Sequence, residues 1–139
     1  MRFESLIPNI MVTDVDKSLT LYHKILGFNI FATMPGSEPP FDWVMLGRDG
    51  AMLMLQSKPS LSEELPEFTG REPGGALTFF IKVSEADKLF ESIKDDVEVI
   101  KSPYTSFYNL REFVIKDPDG YFLVFAQDIN AEGIPDNMV

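Results

Sequence analysis

The segment YNLREFVIKDPDGYFLVFAQ, residues 108–127, carries two runs rich in β-branched and aromatic residues on either side of Asp117-Pro118-Asp119-Gly120. Proline second and glycine fourth suit a type I turn, because proline presets the backbone angle there and glycine tolerates the exit geometry. The segment therefore predicts a β-hairpin. Alternate residues of a strand share a face, so Phe122, Val124 and Ala126 project together. That inner face is apolar and holds neither a carboxylate nor an imidazole.

Working outward, the same vocabulary occurs twice. LIPNIMV (residues 6–12) predicts a strand, and DVDKSLTLYHKILGF predicts a helix with Asp14 as its cap and Gly27 just past its end. Val15, Leu19, Tyr22 and Leu26 recur at helical spacing and form one apolar stripe. FNIFATM, FDWVMLG and AMLMLQS follow as strands, the last two joined by a turn at Asp49-Gly50. Residues 58–74, rich in proline, glycine and acids, predict a linker with a short helical turn near Leu61 to Leu65. Then ALTFFIKV predicts a strand, and SEADKLFESIKDD a helix with Ser84 as cap, Asp87 completing a capping-box variant, and Ala86, Leu89, Phe90 and Ile93 as its stripe. VEVIK and the 108–127 hairpin supply the remaining strands.

The order is β-α-β-β-β, repeated: module one over 3–57, linker over 58–74, module two over 75–128, and a C-terminal tail over 129–139. A repeated unit too small to bury its own sheet predicts pairing. The expectation is one α+β domain of two βαβββ modules pairing into curved mixed sheets, with helices on one face and an open cleft on the other.

Composition narrows the functions. The chain has 139 residues, 45% hydrophobic and 24% charged, the balance of a globular domain. It has no cysteine, which removes disulfides, thiolate nucleophiles and cysteine zinc sites. A formal net charge of −10 argues against nucleic acid as a partner, since phosphate binding needs a basic footprint; it suits a cationic ligand, and the plainer reading is an acidic surface that keeps the protein soluble. No apolar run approaches the roughly 20 residues that span a bilayer, and MRFESLIPNIM lacks a signal peptide's apolar core. The expectations are a cytoplasmic protein and no membrane partner. No nucleophile–base set stands out. The single histidine, His23, falls within the first helix, and PGG at residues 73–75 lacks the Lys-Ser/Thr of a phosphate loop.

Three stretches, IPNIMVTDVDKSLTLYHKILGF, IKVSEADKLFESI and REFVIKDPDGYFLVF, resemble the vicinal oxygen chelate superfamily, also called the glyoxalase/bleomycin resistance/dioxygenase fold. The Arg-Glu-Phe run before Asp-Pro-x-Gly resembles its bleomycin resistance protein branch in particular. The resemblance implies paired βαβββ modules and, for many members, homodimers whose clefts use both chains. In metal-dependent members it implies His, Glu or Gln ligands from four strands. Those positions fall here on Ile7, Met54, Thr78 and Val124, none a ligand for zinc, iron, nickel or manganese, with Met54 suited to copper(I) at best.

The predicted cleft face is instead apolar and aromatic. Asn9, Trp43, Met54, Thr78, Tyr104, Phe107, Tyr108, Glu112 and Val124 are the candidate ligand-binding residues, with Met45, Met52, Phe80 and Gln56 sharing their strand faces. A greasy surface with a few placed polar groups is the make-up of a small-molecule site, and burial against a partner chain is the competing reading of the same residues. The expected function is metal-independent small-molecule binding of the bleomycin resistance type. In that reading no catalytic residue, metal or cofactor is needed, and an aromatic or cationic ligand is sequestered at a homodimer interface. The alternative is a glyoxalase-like lyase or dioxygenase with an atypical divalent-metal site.

Overall fold

The computed structural model describes residues 1–129; residues 130–139 of the expected tail lie outside the described residues. The chain divides into two units, Met1–Gly75 and the part from Ala76 onward.

In the first unit, strands β1 (Asn9–Val12), β2 (Asn29–Met34), β3 (Trp43–Arg48) and β4 (Ala51–Ser57) form one sheet in the order β1-β4-β3-β2. β1 runs parallel to β4, and the other pairs are antiparallel. In the second unit, β5 (Thr78–Lys82), β6 (Glu98–Thr105), β7 (Leu110–Lys116) and β8 (Phe122–Asp128) repeat that pattern as β5-β8-β7-β6, again with one parallel pair. The repeat read from the sequence is thus a repeat of topology.

Helix α1 (Val15–Leu19) begins where Asp14 accepts a hydrogen bond from the Lys17 N–H. It widens into a π-helical stretch, Thr20–Ile25, and ends at Gly27, whose φ of +74° suits glycine. The predicted stripe Val15, Leu19, Tyr22 and Leu26 is buried, as are Ile10, Val12, Val44, Leu46, Leu53 and Leu55 from one face of the sheet. Arg48 donates to the Leu26 carbonyl, and His23 donates from Nδ1 to the Phe28 carbonyl at 2.6 Å, so both secure the helix end. Residues of the expected linker are more ordered than the composition suggests. Helix α2 (Lys58–Glu64) is capped by Ser57 and followed by a 3₁₀ turn at Pro66–Phe68.

Helix α3 (Ala86–Ile93) differs from its prediction at the start. Ser84 does not cap it; the residue at the cap position, Glu85, makes no side-chain bond either. The Ala86 N–H is taken by the Gln127 side-chain oxygen at 2.8 Å, and Asp87 is drawn to Arg111 instead. β6 also runs further than VEVIK predicts, through Pro103 to Thr105. It is an edge strand, where a missing N–H is tolerated, and its register shifts twice along β7. The core of this unit centres on Phe113, stacked on Phe125 at 5.0 Å between centroids and met edge-on by Phe90 of α3 at 5.2 Å.

The hairpin turn forms as expected. The Gly120 N–H returns to the Asp117 carbonyl, and Asp117 Oδ1 accepts from the Asp119 and Tyr121 amides, both at 2.9 Å.

Candidate functional site

Each sheet has a helix face and an outer face, and register assigns the residues. In the first sheet Asn9 lies beside Met54, Met11 beside Gln56, Gln56 beside Trp43, Met54 beside Met45, and Trp43 beside Met34. With Met52 two residues before Met54, this outer face carries Met11, Met34, Met45, Met52 and Met54, five of the chain's seven methionines, around its single tryptophan. Gly47 makes room for them. A Cβ there would stand 2.5 Å from the Met52 sulfur and 2.5 Å from the Phe31 ring, so the bare glycine lets sulfur and ring meet across β3. Thioether–aromatic contacts of this kind are favourable and deformable.

The polar group of this face is Gln56, and it is buried. Its oxygen accepts from Asn9 Nδ2 at 2.8 Å, and its nitrogen donates to Ser60 Oγ at 3.0 Å and Glu64 Oε2 at 2.8 Å. Gln56 and Asn9 thus tie α2 to the end of the sheet. Asn9 is committed to that structural bond, a role its place on the strand did not foretell.

In the second sheet Thr78 lies beside Phe122, Phe80 beside Val124, Val124 beside Val114, and Ala126 beside Glu112, which in turn faces Tyr104 on β6. Glu112 is only 3% exposed. It does not pair with Arg111, its neighbour in sequence, which holds Asp87 instead. Tyr108, on the turn Ser106–Asn109, lies near enough to the Glu112 carboxylate to feel its charge. Oε2 of that carboxylate is buried and has no partner. Phe107 is 95% exposed and meets Tyr108 edge-on at 4.7 Å. The ammonium of Lys101 sits over the Tyr104 ring, 5.3 Å from its centroid.

The candidate residues therefore fall into two groups. Asn9, Trp43 and Met54 share the first outer face. Tyr104, Tyr108, Glu112 and Val124 gather on the second, with exposed Thr78 at its β5 edge and Phe107 on the turn beside it. Lys101 had no signal in the sequence, because its contact depends on the register shift in β6.

Two phenols feel this setting. Burial first, then the charge of Glu112, push the Tyr104 hydroxyl above the ordinary phenol range; the same two causes raise Tyr108. A group whose folded pKa is raised contributes stability below the unfolded value, about 10 for tyrosine, and loses it as pH climbs through the folded value. Phenolate absorbance should accordingly show Tyr104 and Tyr108 ionising late. Glu112→Gln should bring both partway back, burial remaining. Tyrosines that titrate together at the ordinary value would contradict this arrangement.

The sequence from residue 6 to 125 matches the Glyoxalase/Bleomycin resistance protein/Dioxygenase superfamily. The chain belongs to this superfamily. Solved structures agree on the fold. A glyoxalase/bleomycin resistance protein/dioxygenase from Nocardioides superposes with a TM-score of 0.75 at 17% identity, over 94% of this chain and 87% of that one. A protein of unknown function from Agrobacterium tumefaciens str. C58 gives 0.74 at 23% identity, over 93% and 95%. A glyoxalase-related enzyme from Fulvimarina pelagi gives 0.71 at 16% identity, over 94% of each chain. None of the curated proteins matches the sequence.

At the positions where the family resemblance implies metal ligands, the side chains do not fit a catalytic metal. Ile7 and Val124 offer no lone pair, Met54 a thioether, and Thr78 a neutral hydroxyl, whereas catalytic zinc takes three His, Cys or carboxylate ligands. Among the described residues no three His, Cys, Asp or Glu side chains gather to hold a metal ion. No helix among them is long and apolar enough to cross a membrane.

Proposed function

We propose that this superfamily member is a metal-independent small-molecule binding protein of the bleomycin resistance type. It acts as a cytoplasmic homodimer, sequestering an aromatic or cationic ligand in a cleft at the subunit interface. The observation that carries the reading is the methionine-lined face around Trp43, built on strands whose family ligand position, Met54, is itself part of that lining. Flexible thioethers conform to irregular apolar molecules, and the faces of Trp and Tyr attract flat or cationic groups. The net charge of −10 favours a cation.

Because Trp43 is the only tryptophan, its fluorescence reports on this face alone. Metal-free bleomycin and ethidium are suitable probes. The expected result is saturable quenching approaching one ligand per chain, with thermal stabilisation of about 2.7 kcal/mol at a hundredfold excess over Kd. Quenching that never saturates, with no thermal shift, would sink the proposal.

The enzyme alternative is supported by the name of the Fulvimarina relative. It has little to work with, since Gln56 is already bonded at both ends and Glu112 lies in the other sheet. About one ion per chain retained after loading with zinc, nickel, manganese or iron and desalting would restore it.

A further inference from the structure

We infer that the Glu112 carboxylate, with Tyr104 and Tyr108 beside it, is an anchor for a protonated primary or secondary amine on the ligand. The inference rests on the small-molecule reading above and names the group that the second sheet would recognise.

The argument begins from an unfilled valence. A carboxylate is an acceptor with room for several hydrogen bonds, and burying one of its oxygens without a donor is unfavourable. Glu112 Oε2 is in that state. Its surroundings do not cure it, for every lysine that register puts on this outer face is engaged elsewhere. Lys82 pairs with Asp128, Lys116 pairs with Glu98, and Lys101 lies over Tyr104. Asp128 also keeps one bare oxygen, but its other oxygen carries the Lys82 ammonium. Glu112 is the buried anion of this face without a cation.

The chemistry of the complement follows. The missing partner must donate a hydrogen bond, because the carboxylate only accepts. A positive charge strengthens that bond. The ligand's carbon skeleton must be apolar, because Val114, Val124 and Ala126 floor the same patch. A cation is already accommodated at its rim, where Lys101 rests on the Tyr104 ring. A quaternary ammonium would satisfy the rings and not the oxygen, so a donating N–H is the distinguishing feature.

Three probes of nearly equal shape separate the possibilities: phenethylamine, phenethyl alcohol and phenethyltrimethylammonium, measured by calorimetry on the full chain. The amine should bind about tenfold or more tighter than the alcohol, with the quaternary ion in between or weaker. Glu112→Gln should weaken the amine far more than the alcohol and so erase the amine's advantage. Equal binding of amine and alcohol to the unsubstituted protein, or an advantage that survives Glu112→Gln, would overturn this inference and leave the small-molecule reading standing. If none of the three binds, this inference falls, and the Trp43 titration decides the small-molecule reading separately. The comparison among probes on the unsubstituted protein decides the matter even if the variant does not fold.

Discussion

Replacing Phe113 with alanine should lower the stability of the protein by about 4 kcal/mol. Phe113 is wholly buried, and its ring is clasped by Phe125 on the next strand and by Phe90 on α3. Deleting it removes the transfer free energy of the ring and leaves a cavity between a sheet and a helix that are each tethered elsewhere. α3 cannot sink into the space, because its start is pinned by Gln127 and Arg111. Against a domain stability of roughly 5–15 kcal/mol the loss is a large share. Phe107→Ala is the matched control: the same deletion at a residue in solvent should cost under about 0.5 kcal/mol. Urea unfolding midpoints of the two variants check the contrast, and similar midpoints would mean that the aromatic cluster is not the core of this unit. The consequence reaches the ligand face, since Phe113 and Glu112 are successive residues of β7 on opposite sides. What fixes the ring on one side fixes the carboxylate on the other.

That alternation is also why so much of the architecture was legible in the sequence. Ile115, Phe113, Leu123 and Phe125 are large and apolar, while Glu112, Lys116 and Val124 sit between them. A period of two with unlike faces permits one register. Asp14, Asp49-Gly50 and Asp117 to Gly120 mark their ends with local chemistry, so those boundaries were readable too. Ser84 misled because a cap inferred from neighbours competes with groups from afar. Gln127, 41 residues away in the chain, reaches the Ala86 amide first. The linker misled for a related reason. Its proline and acids look unstructured by composition, yet Gln56 supplies two bonds that hold α2 in place.

The candidate site was legible to a lesser depth. Strand parity assigned Trp43, Met45, Met52 and Met54 to one face and Val124 and Glu112 to another, because parity depends only on counting. It did not tell which polar groups were already spent. Asn9 and Gln56 bond each other, whereas Glu112 keeps an oxygen free, and the difference lies in contacts between residues 47 apart in one case and in a missing contact in the other. Nor does sequence show that Lys101 reaches Tyr104, since the bulges of β6 set that approach.

Asp117→Ala should cost about 2–4 kcal/mol, because it strips the acceptor from two amides at once. Asp117 is buried, and its Oδ1 helps organise the turn by receiving the N–H groups of Asp119 and Tyr121; Tyr121 is buried as well, so water does not readily replace the lost partner. Asp117→Asn keeps an amide oxygen in the same place and should cost about half as much or less, which separates the hydrogen bonds from the bulk of the side chain. The larger interest is register. The turn holds Glu112 opposite Ala126 and Val114 opposite Val124, and a slip of one residue would send Glu112 to the helix face and Phe113 to solvent. If the turn sets that pairing, Asp117→Ala should weaken amine binding and return Tyr104 and Tyr108 toward ordinary phenol behaviour under conditions where the protein is still folded. If stability falls while amine preference and tyrosine titration stay as before, the packing of Phe113, Ile115, Leu123 and Phe125 holds the register by itself, and Asp117 serves only to close the hairpin.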